Sequence, residues 1–361
     1  APGASVISLG NNNLGWETTK QFDFGVDIGF FKNRLNIGYD YYTKRTTNLL
    51  YNVAVPQESG FTNFTGNIGE LKFWGHEFTV SSKNFTGKFK WNTDFNISFN
   101  DNKVLALSDG VDRLYGGFGN YQTITMVGQR IGQFYGLIQE GVYVDQADFD
   151  KSPKATASEV GTIKYRDVNG DGVITYGGDA DDRTFIGNPF PRVIYGITNT
   201  FSYKNFDLSI VGSGSQGNDV MVLLDQGTTN LDGVFNVRKE IKNRWRSPEN
   251  PGDGLYGKTT SATFMERDWA STRFVSNGSF FTIKNITLGY NVPLKNSKAF
   301  RSVRVYGSVQ QAYVFTNYRG SNPEVGGTSN GTATGSALNL GMDWGTYPVP
   351  RTYTFGINVG L

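Results

Sequence analysis

The chain has 361 residues and a formal net charge of +2, from 34 basic and 32 acidic side chains. Aromatics make up 14% and charged residues 18%, against about 25% charged in typical soluble domains. Intrinsic disorder is excluded, because disordered chains are poor in aromatics, and the interspersed charge offers no basic patch for nucleic acid. With no Cys, neither a disulfide scaffold nor a thiolate metal site is possible. The longest apolar run, Val220 to Leu224, falls far short of the ~20 apolar residues of a spanning helix. Ala1 to Ser5 has neither the basic nor the apolar stretch of a signal peptide. The sequence is therefore expected to begin at a processed end or inside something larger.

Alternation of period two dominates the chain. Phe22, Phe24, Val26, Ile28 and Phe30 face one way, and Gln21, Asp23, Gly25, Asp27 and Gly29 the other. Leu35, Ile37, Tyr39 and Tyr41 repeat the pattern, as do Phe89, Trp91, Thr93, Phe95, Ile97 and Phe99. So do Tyr353, Phe355, Ile357, Val359 and Leu361 at the end of the chain. Successive side chains of a strand point to opposite faces, so this spacing predicts strands with one apolar and one polar face. Eleven strands are predicted: 20–30, 34–46, 71–83, 88–100, 121–128, 133–143, 192–203, 206–214, 280–291, 302–316 and 352–361. Most hold about ten residues, the length that crosses a bilayer when tilted.

The connections alternate between short and long. Phe31 to Asn33, Asn84 to Gly87, Gln129 to Gly132, and Lys204-Asn205 are short, and Val292 to Arg301 is modest. The others, 47–70, 101–120, 144–191, 215–279 and 317–351, run from about twenty to about sixty-five residues. Soluble domains rarely carry such loops. Outer-membrane barrels do, with short periplasmic turns and long extracellular loops. The fold class expected is therefore all-β, a transmembrane antiparallel β-barrel; a large soluble sandwich is the alternative that alternation alone leaves open. With the C-terminus periplasmic, an odd strand count puts residues 1–19 on the outer side. Such a sheet has two open edges, which lipid does not tolerate. Further strands are needed to close it.

Leu14 to Thr19, Tyr165 to Thr175, Ile186 to Pro189, Asn277 to Tyr290 and the closing Tyr347 to Gly356 together resemble one family, the SusC/RagA-type TonB-dependent outer-membrane transporters. The matches keep the family's order and cover nearly the whole chain. The resemblance implies a barrel of about 22 strands, of which residues 1–361 are the C-terminal half, without the plug or the TonB-contacting segment. It implies import of a glycan or peptide oligomer across the bacterial outer membrane. It also implies a SusD-like surface lipoprotein as lid, TonB as energy source, and no covalent chemistry. Family members often end in an aromatic, and here Leu361 is last. A structural or docking role in an envelope assembly is the alternative reading.

Few residues recommend themselves for chemistry. Asp167-Val168-Asn169-Gly170-Asp171-Gly172-Val173-Ile174-Thr175 reads as the first nine positions of an EF-hand-type loop. Asp167, Asn169 and Asp171 supply side-chain oxygens, Gly172 the turn and Val173 a backbone carbonyl, a set that suits Ca²⁺. The twelfth position, normally Glu, is Gly178, so Asp179, Asp181 or Asp182 is the candidate closing ligand. An Asx-rich turn with no ion is the plainer alternative. The only histidine, His76, lies among aromatics and is expected to be packed or interfacial, since no oriented base accompanies it. Val234 to Arg246 shows helical spacing stopped by Pro248, and one loop helix is expected there. Tyr115, Phe118, Tyr121, Tyr256, Trp269, Tyr318 and Trp344 are loop aromatics able either to stack on substrate or to pack the loops.

Overall fold

The computed structural model describes residues 10–54, 58, 60–61, 63–67, 69–108, 110–230, 236–258, 264–294, 299–326 and 339–361. A single antiparallel sheet of nine strands forms the wall. Its strands are β1 (Thr18–Phe30), β2 (Leu35–Thr47), β3 (Gly69–Thr86), β4 (Phe89–Leu107) and β5 (Val193–Tyr203). After them come β6 (Phe206–Gln216), β7 (Phe280–Asn291), β8 (Ser302–Thr316) and β9 (Thr352–Gly360). Each pairs only with its sequence neighbours in the wall, an up-and-down order without crossover.

Register sorts the side chains into two faces. Ile28 lies opposite Ile37, Ile37 opposite Val80, and Val80 opposite Phe95. Phe95 then meets Ile197, so an apolar row continues across five strands. The other phase carries Asp27, Gly38, Thr79 and Asn96 in the same register. Because the period is two, a slip of one residue would turn the whole apolar set inward. Aromatics concentrate at both rims of the apolar face. Near the short turns, Phe85 packs on Trp91 (5.7 Å), Trp91 on Phe201 (5.7 Å) and Phe206 on Tyr290 (4.8 Å). Toward the other rim, Tyr195 stacks on Phe281 (5.9 Å) and Tyr313 packs on Phe315 (4.6 Å). An apolar band between two aromatic girdles is the outer surface of a membrane barrel. One polar residue on this face, Asn199, has its Oδ1 engaged, accepting from Trp91 Nε1 (2.9 Å) and Thr93 Oγ1 (2.7 Å).

The wall has nine strands, not eleven. Residues 121–128 and 133–143 belong to smaller sheets outside it. Tyr121–Met126 pairs with Arg113–Phe118 and Gln133–Gly136, and Thr184–Gly187 completes that sheet. Gln139–Val142 instead pairs with Ile163–Tyr165. The physical reason is burial: Tyr121, Thr123, Ile124 and Thr125 are all at most 2% exposed, so both faces are covered and neither meets lipid. The turn Gln129 to Gly132 is accordingly no periplasmic turn. It lies against the long-loop end of β4, where Val104 N donates to Gln129 O (2.8 Å). Nine is still odd, so β1 and β9 run in the same direction.

All four long connections leave the wall at one end, and the short turns sit at the other. The connections 108–192, 217–279 and 317–351 fold into one body. Asp219–Val222 forms its centre, antiparallel to Val275–Asn277 and parallel to Met342–Asp343. Continuous apolarity in Val220 to Leu223 matches a strand covered on both faces, each residue being at most 1% exposed. Tyr121, Phe134, Met221, Leu223, Phe274 and Met342 form one core; Leu137, Val142, Ile163, Tyr165, Ile174 and Met265 form a second. The expected helix over Val234 to Arg246 is only a 3-10 turn at Lys239–Asn243; Val234 lies outside the described residues. Ile241 is buried, and Trp245 is pulled away to donate to Val144 O (3.0 Å) and pack on the second core.

Asp343 holds this body's last segment. It is 3% exposed and accepts from the Tyr318 hydroxyl. Its other oxygen takes the amides of Gly345 (2.9 Å) and Thr346 (2.6 Å). Burial pushes this carboxyl up, but the Tyr318 hydroxyl and those amides more than offset it and hold it below the usual carboxylate range.

Two outcomes are expected. In the full-length protein in vesicles, Ile37→Arg, on the apolar face, should cost about 2–4 kcal/mol in denaturant unfolding, and Thr198→Lys, on the polar face, much less. For Asp343, a depressed folded-state value means stabilisation present above the unfolded value near ~3.9 and lost as pH falls through the folded one. Fluorescence of the adjacent Trp344 should therefore report an acid transition below about pH 4 that Asp343→Asn removes.

Candidate functional site

The polar face of the wall and the body at its mouth are the surfaces on which this chain can act. On the polar face Asn92, Asp94, Asn96 and Ser98 of β4 alternate with its apolar set. Ser81 Oγ donates to Asp94 Oδ1 (2.7 Å). Arg304 and Asp207 pair at 2.5 Å near the short turns. These are hydrogen-bonding groups of a wet interior.

The mouth body meets the wall through β4. Arg130 grips Asp101 with two bonds of 2.7 Å, and Ile131 N donates to Asn102 Oδ1 (2.9 Å). Leu71, Val104 and Ile131 close an apolar seam there. Within the body, Asp225 is 1% exposed and pairs with Arg238 (2.8 Å) and Arg319 (3.4 Å). Arg319 also donates to Arg273 O (2.8 Å), and Arg273 to Thr229 O (2.7 Å). This ties the 217–279 connection to the 317–351 connection. Burial pushes the Asp225 carboxyl up, and the Arg319, Arg238 and Arg273 guanidinium groups offset only part of that. Sequence reasoning missed this cluster, because its members are far apart in the chain and belong to no spaced motif. Another arginine, Arg183, lies between the rings of Tyr135 (5.2 Å) and Tyr176 (4.7 Å) and pairs with Asp181 (2.9 Å). Burial raises the Asp181 carboxyl, but the bonds from Arg183 and from the Gly177 amide outweigh it, and the net shift is downward.

The loop aromatics divide between packing and exposure. Tyr121 and Tyr318 are core residues. Trp269 stacks on Tyr176 at 5.2 Å, and Tyr256 lies under the Arg273 guanidinium (5.8 Å). Tyr115 and Trp344 are exposed, and Tyr347 is 90% exposed. The Phe118 side chain lies outside the described residues.

The acidic turn is well formed. Asp167 accepts from Gly170 N (2.6 Å) and Gly172 N (2.8 Å), Asn169 Oδ1 from Asp171 N (2.9 Å), and Asp171 Oδ1 from Val173 N (2.8 Å). Gly170 and Gly172 both take positive φ, 78° and 86°, which other residues adopt at a cost. Asp182 is brought beneath the turn and fully buried. Its carboxylate takes the amides of Val168 (2.8 Å), Asn169 (3.4 Å) and Thr175 (2.7 Å). It anchors the turn from below and does not stand at the twelfth ligand position. Asp179 is exposed, and Asp181 is taken by Arg183. Among the described residues no three His, Cys, Asp or Glu side chains converge as a metal cluster. The turn thus offers the Asp167, Asn169 and Asp171 oxygens and the Val173 carbonyl, and its Asx bonds satisfy the backbone with or without a cation.

His76 sits on the apolar face at the upper girdle. Its Nδ1 is 2.9 Å from the Tyr39 hydroxyl, and its ring lies 5.1 Å from that of Tyr41. This is the interfacial place expected of it.

Comparison with known proteins agrees with this architecture. The TonB dependent receptor-like, beta-barrel family matches residues 1–214. The TonB-dependent receptor P3 of Formosa agariphila is 36% identical over 99% of this chain and 35% of its own length. The TonB-dependent receptor SusC of Bacteroides thetaiotaomicron is 29% identical over 97% of this chain and 32% of its own. This chain thus spans about a third of the length of these curated relatives. The structure of the RagAB peptide transporter superposes with a TM-score of 0.78 at 23% identity, over 98% of this chain and 36% of that one. The wall, its girdles and its one-sided loops are those of an outer-membrane barrel, and the chain belongs to the TonB-dependent receptor β-barrel family.

Proposed function

We propose that this chain forms part of the wall and mouth of an outer-membrane importer for glycan or peptide oligomers. The observation that carries the reading is the one-sided arrangement: every long connection of the wall gathers at one end, above a polar inner face. That end is read as extracellular and the short turns and C-terminus as periplasmic. Energy comes from TonB acting through a part of the protein outside residues 1–361. A SusD-like surface lipoprotein covers the mouth. The RagAB transporter, to which the chain is similar in fold, is a peptide transporter by name, and both oligomer classes stay in the reading.

Closure of the sheet belongs to the same reading. Every residue of β1 is exposed, and β9 pairs only with β8. The remaining barrel strands come from the rest of the polypeptide, since a lipid-exposed edge leaves backbone groups unpaired at several kcal/mol each. No side chain here performs a covalent step; the barrel binds, orients and admits.

Deleting the gene should abolish growth on, and uptake of, one oligosaccharide or peptide mixture from a panel, with its monomers still used. The tagged protein should co-purify with a surface lipoprotein. Normal growth on every oligomer, together with co-purification of secretion or assembly machinery, would instead establish the docking role.

The turn at 167–175 is proposed as a Ca²⁺ site that stiffens the mouth. Asp167, Asn169, Asp171 and the Val173 carbonyl are its ligands, Asp179 the closing candidate, and Asp182 the buried support. Affinity in the range of extracellular modules, about 10⁻⁴–10⁻³ M, is expected. Calcium should slow proteolysis between 167 and 182, and Asp171→Ala should remove the effect. Equal cleavage with calcium and with chelator would leave an ion-free Asx turn.

A further inference from the structure

Part of the outward face of the wall near the short turns is left open. Three glycines fall in the apolar phase of β6 and β8: Gly212, Gly214 and Gly307. Aromatic rings roof the first two. A Cβ on Gly212 would stand 2.4 Å from the Phe281 ring, and one on Gly214 2.8 Å from that of Tyr195. At Gly307 only the edge of the Phe355 ring approaches, at 3.3 Å, so a side chain there needs that ring to give by a few tenths of an ångström. The missing side chain therefore leaves an open notch of about 500 Å³. Its walls are Phe206, Leu288, Tyr290, Val305, Phe355 and Ile357. Register places all of these on the outward face, with Leu288 and Phe355 directly opposite Gly307.

The place of the notch names its occupant. Gly307 lies five residues above Ser302, where β8 leaves the short-turn side. At ~3.4 Å per residue and a tilt of about 40°, this is about 13 Å into a band about 25 Å tall. The notch thus opens onto hydrocarbon, with Phe206 and Tyr290, packed at 4.8 Å, as its rim at the headgroup level. Lys204, two residues from Phe206, is folded over the Tyr203 ring at 5.4 Å and marks the level where a phosphate sits. The notch is an open, mostly apolar groove of about 500 Å³ on the lipid-facing side. We propose that it is a binding site for one acyl chain of a phospholipid of the short-turn leaflet, held by the full-length receptor through extraction.

The proposal rests on the membrane placement of the wall and not on what the receptor imports. The test is native mass spectrometry of the full-length receptor extracted from outer membranes in mild detergent. One diacyl phospholipid per polypeptide is expected on the wild type. Gly307→Leu, which fills the notch, should lower that fraction about tenfold, and Leu288→Trp, which fills it from the opposite wall, should do the same. Ile28→Leu, outward on β1, should leave it unchanged. Heat-modifiable migration on gels confirms that each variant is folded. A wild type without bound phospholipid, or equal retention in either filled variant, overturns the site. Uptake assays run beside it keep the readings apart: a wild type that imports normally but carries no phospholipid counts against the site alone, and one that carries phospholipid but does not import counts against the import reading alone.

Discussion

Hydrocarbon offers no hydrogen-bond partner to the backbone, and this constraint organises the whole wall. Seven of the nine strands pair on both sides, and only the outer edges of β1 and β9 leave backbone groups for further strands. The ladder is irregular at Glu70/Leu71 and Lys83/Phe85 near the ends of β3, and within the wall at Val211/Gly212 and Ile283/Asn285, where the apolar phase is recovered beyond the bulge. The same rule governs side chains. Asn199 is tolerated on the outward face because Trp91 and Thr93 occupy its oxygen.

Beyond the membrane the rules change. The long connections meet water and fold as a soluble protein would, with two apolar cores, a parallel strand pair and short helices. Their buried charges are compensated locally: Asp225 by arginines from two connections, Asp343 by a hydroxyl and two amides. One polypeptide therefore carries two packing patterns, and the switch between them falls at the long-loop ends of the strands.

Legibility in the sequence follows the same division. The wall was readable because each of its strands has one lipid face and one wet face, which forces strict alternation over about ten residues. Phe22 to Phe30 and Tyr353 to Leu361 show this with no tertiary information. The mouth was not readable that way. Tyr121 to Thr125 looked like a wall strand, since a strand buried on both faces need not alternate visibly, and burial is a property of the fold. Val234 to Arg246 looked helical, but Trp245 is drawn to Val144 and the second core, so tertiary contact overrode spacing. In the acidic turn, spacing located Asp167, Asn169 and Asp171 correctly on one turn. It did not show that Asp182 would be spent on the amides of Val168, Asn169 and Thr175.

The join between wall and mouth decides how the two halves act together. Its densest part is on β4, where Arg130 holds Asp101 by two bonds, Asn102 takes the Ile131 amide, and Val104 and Ile131 pack with Leu71 of β3; Lys284 of β7 adds an ion pair to Glu324 (2.5 Å). A bidentate arginine–carboxylate pair is directional as well as attractive. The mouth therefore inherits its orientation from the register of β4. That register is fixed in turn by the lipid face, since a slip of one residue would present Asp94 and Asn96 to hydrocarbon. The aromatics at the mouth, Tyr115 and Trp344 among them, are thus placed by a constraint that acts on the opposite side of the wall, in the bilayer.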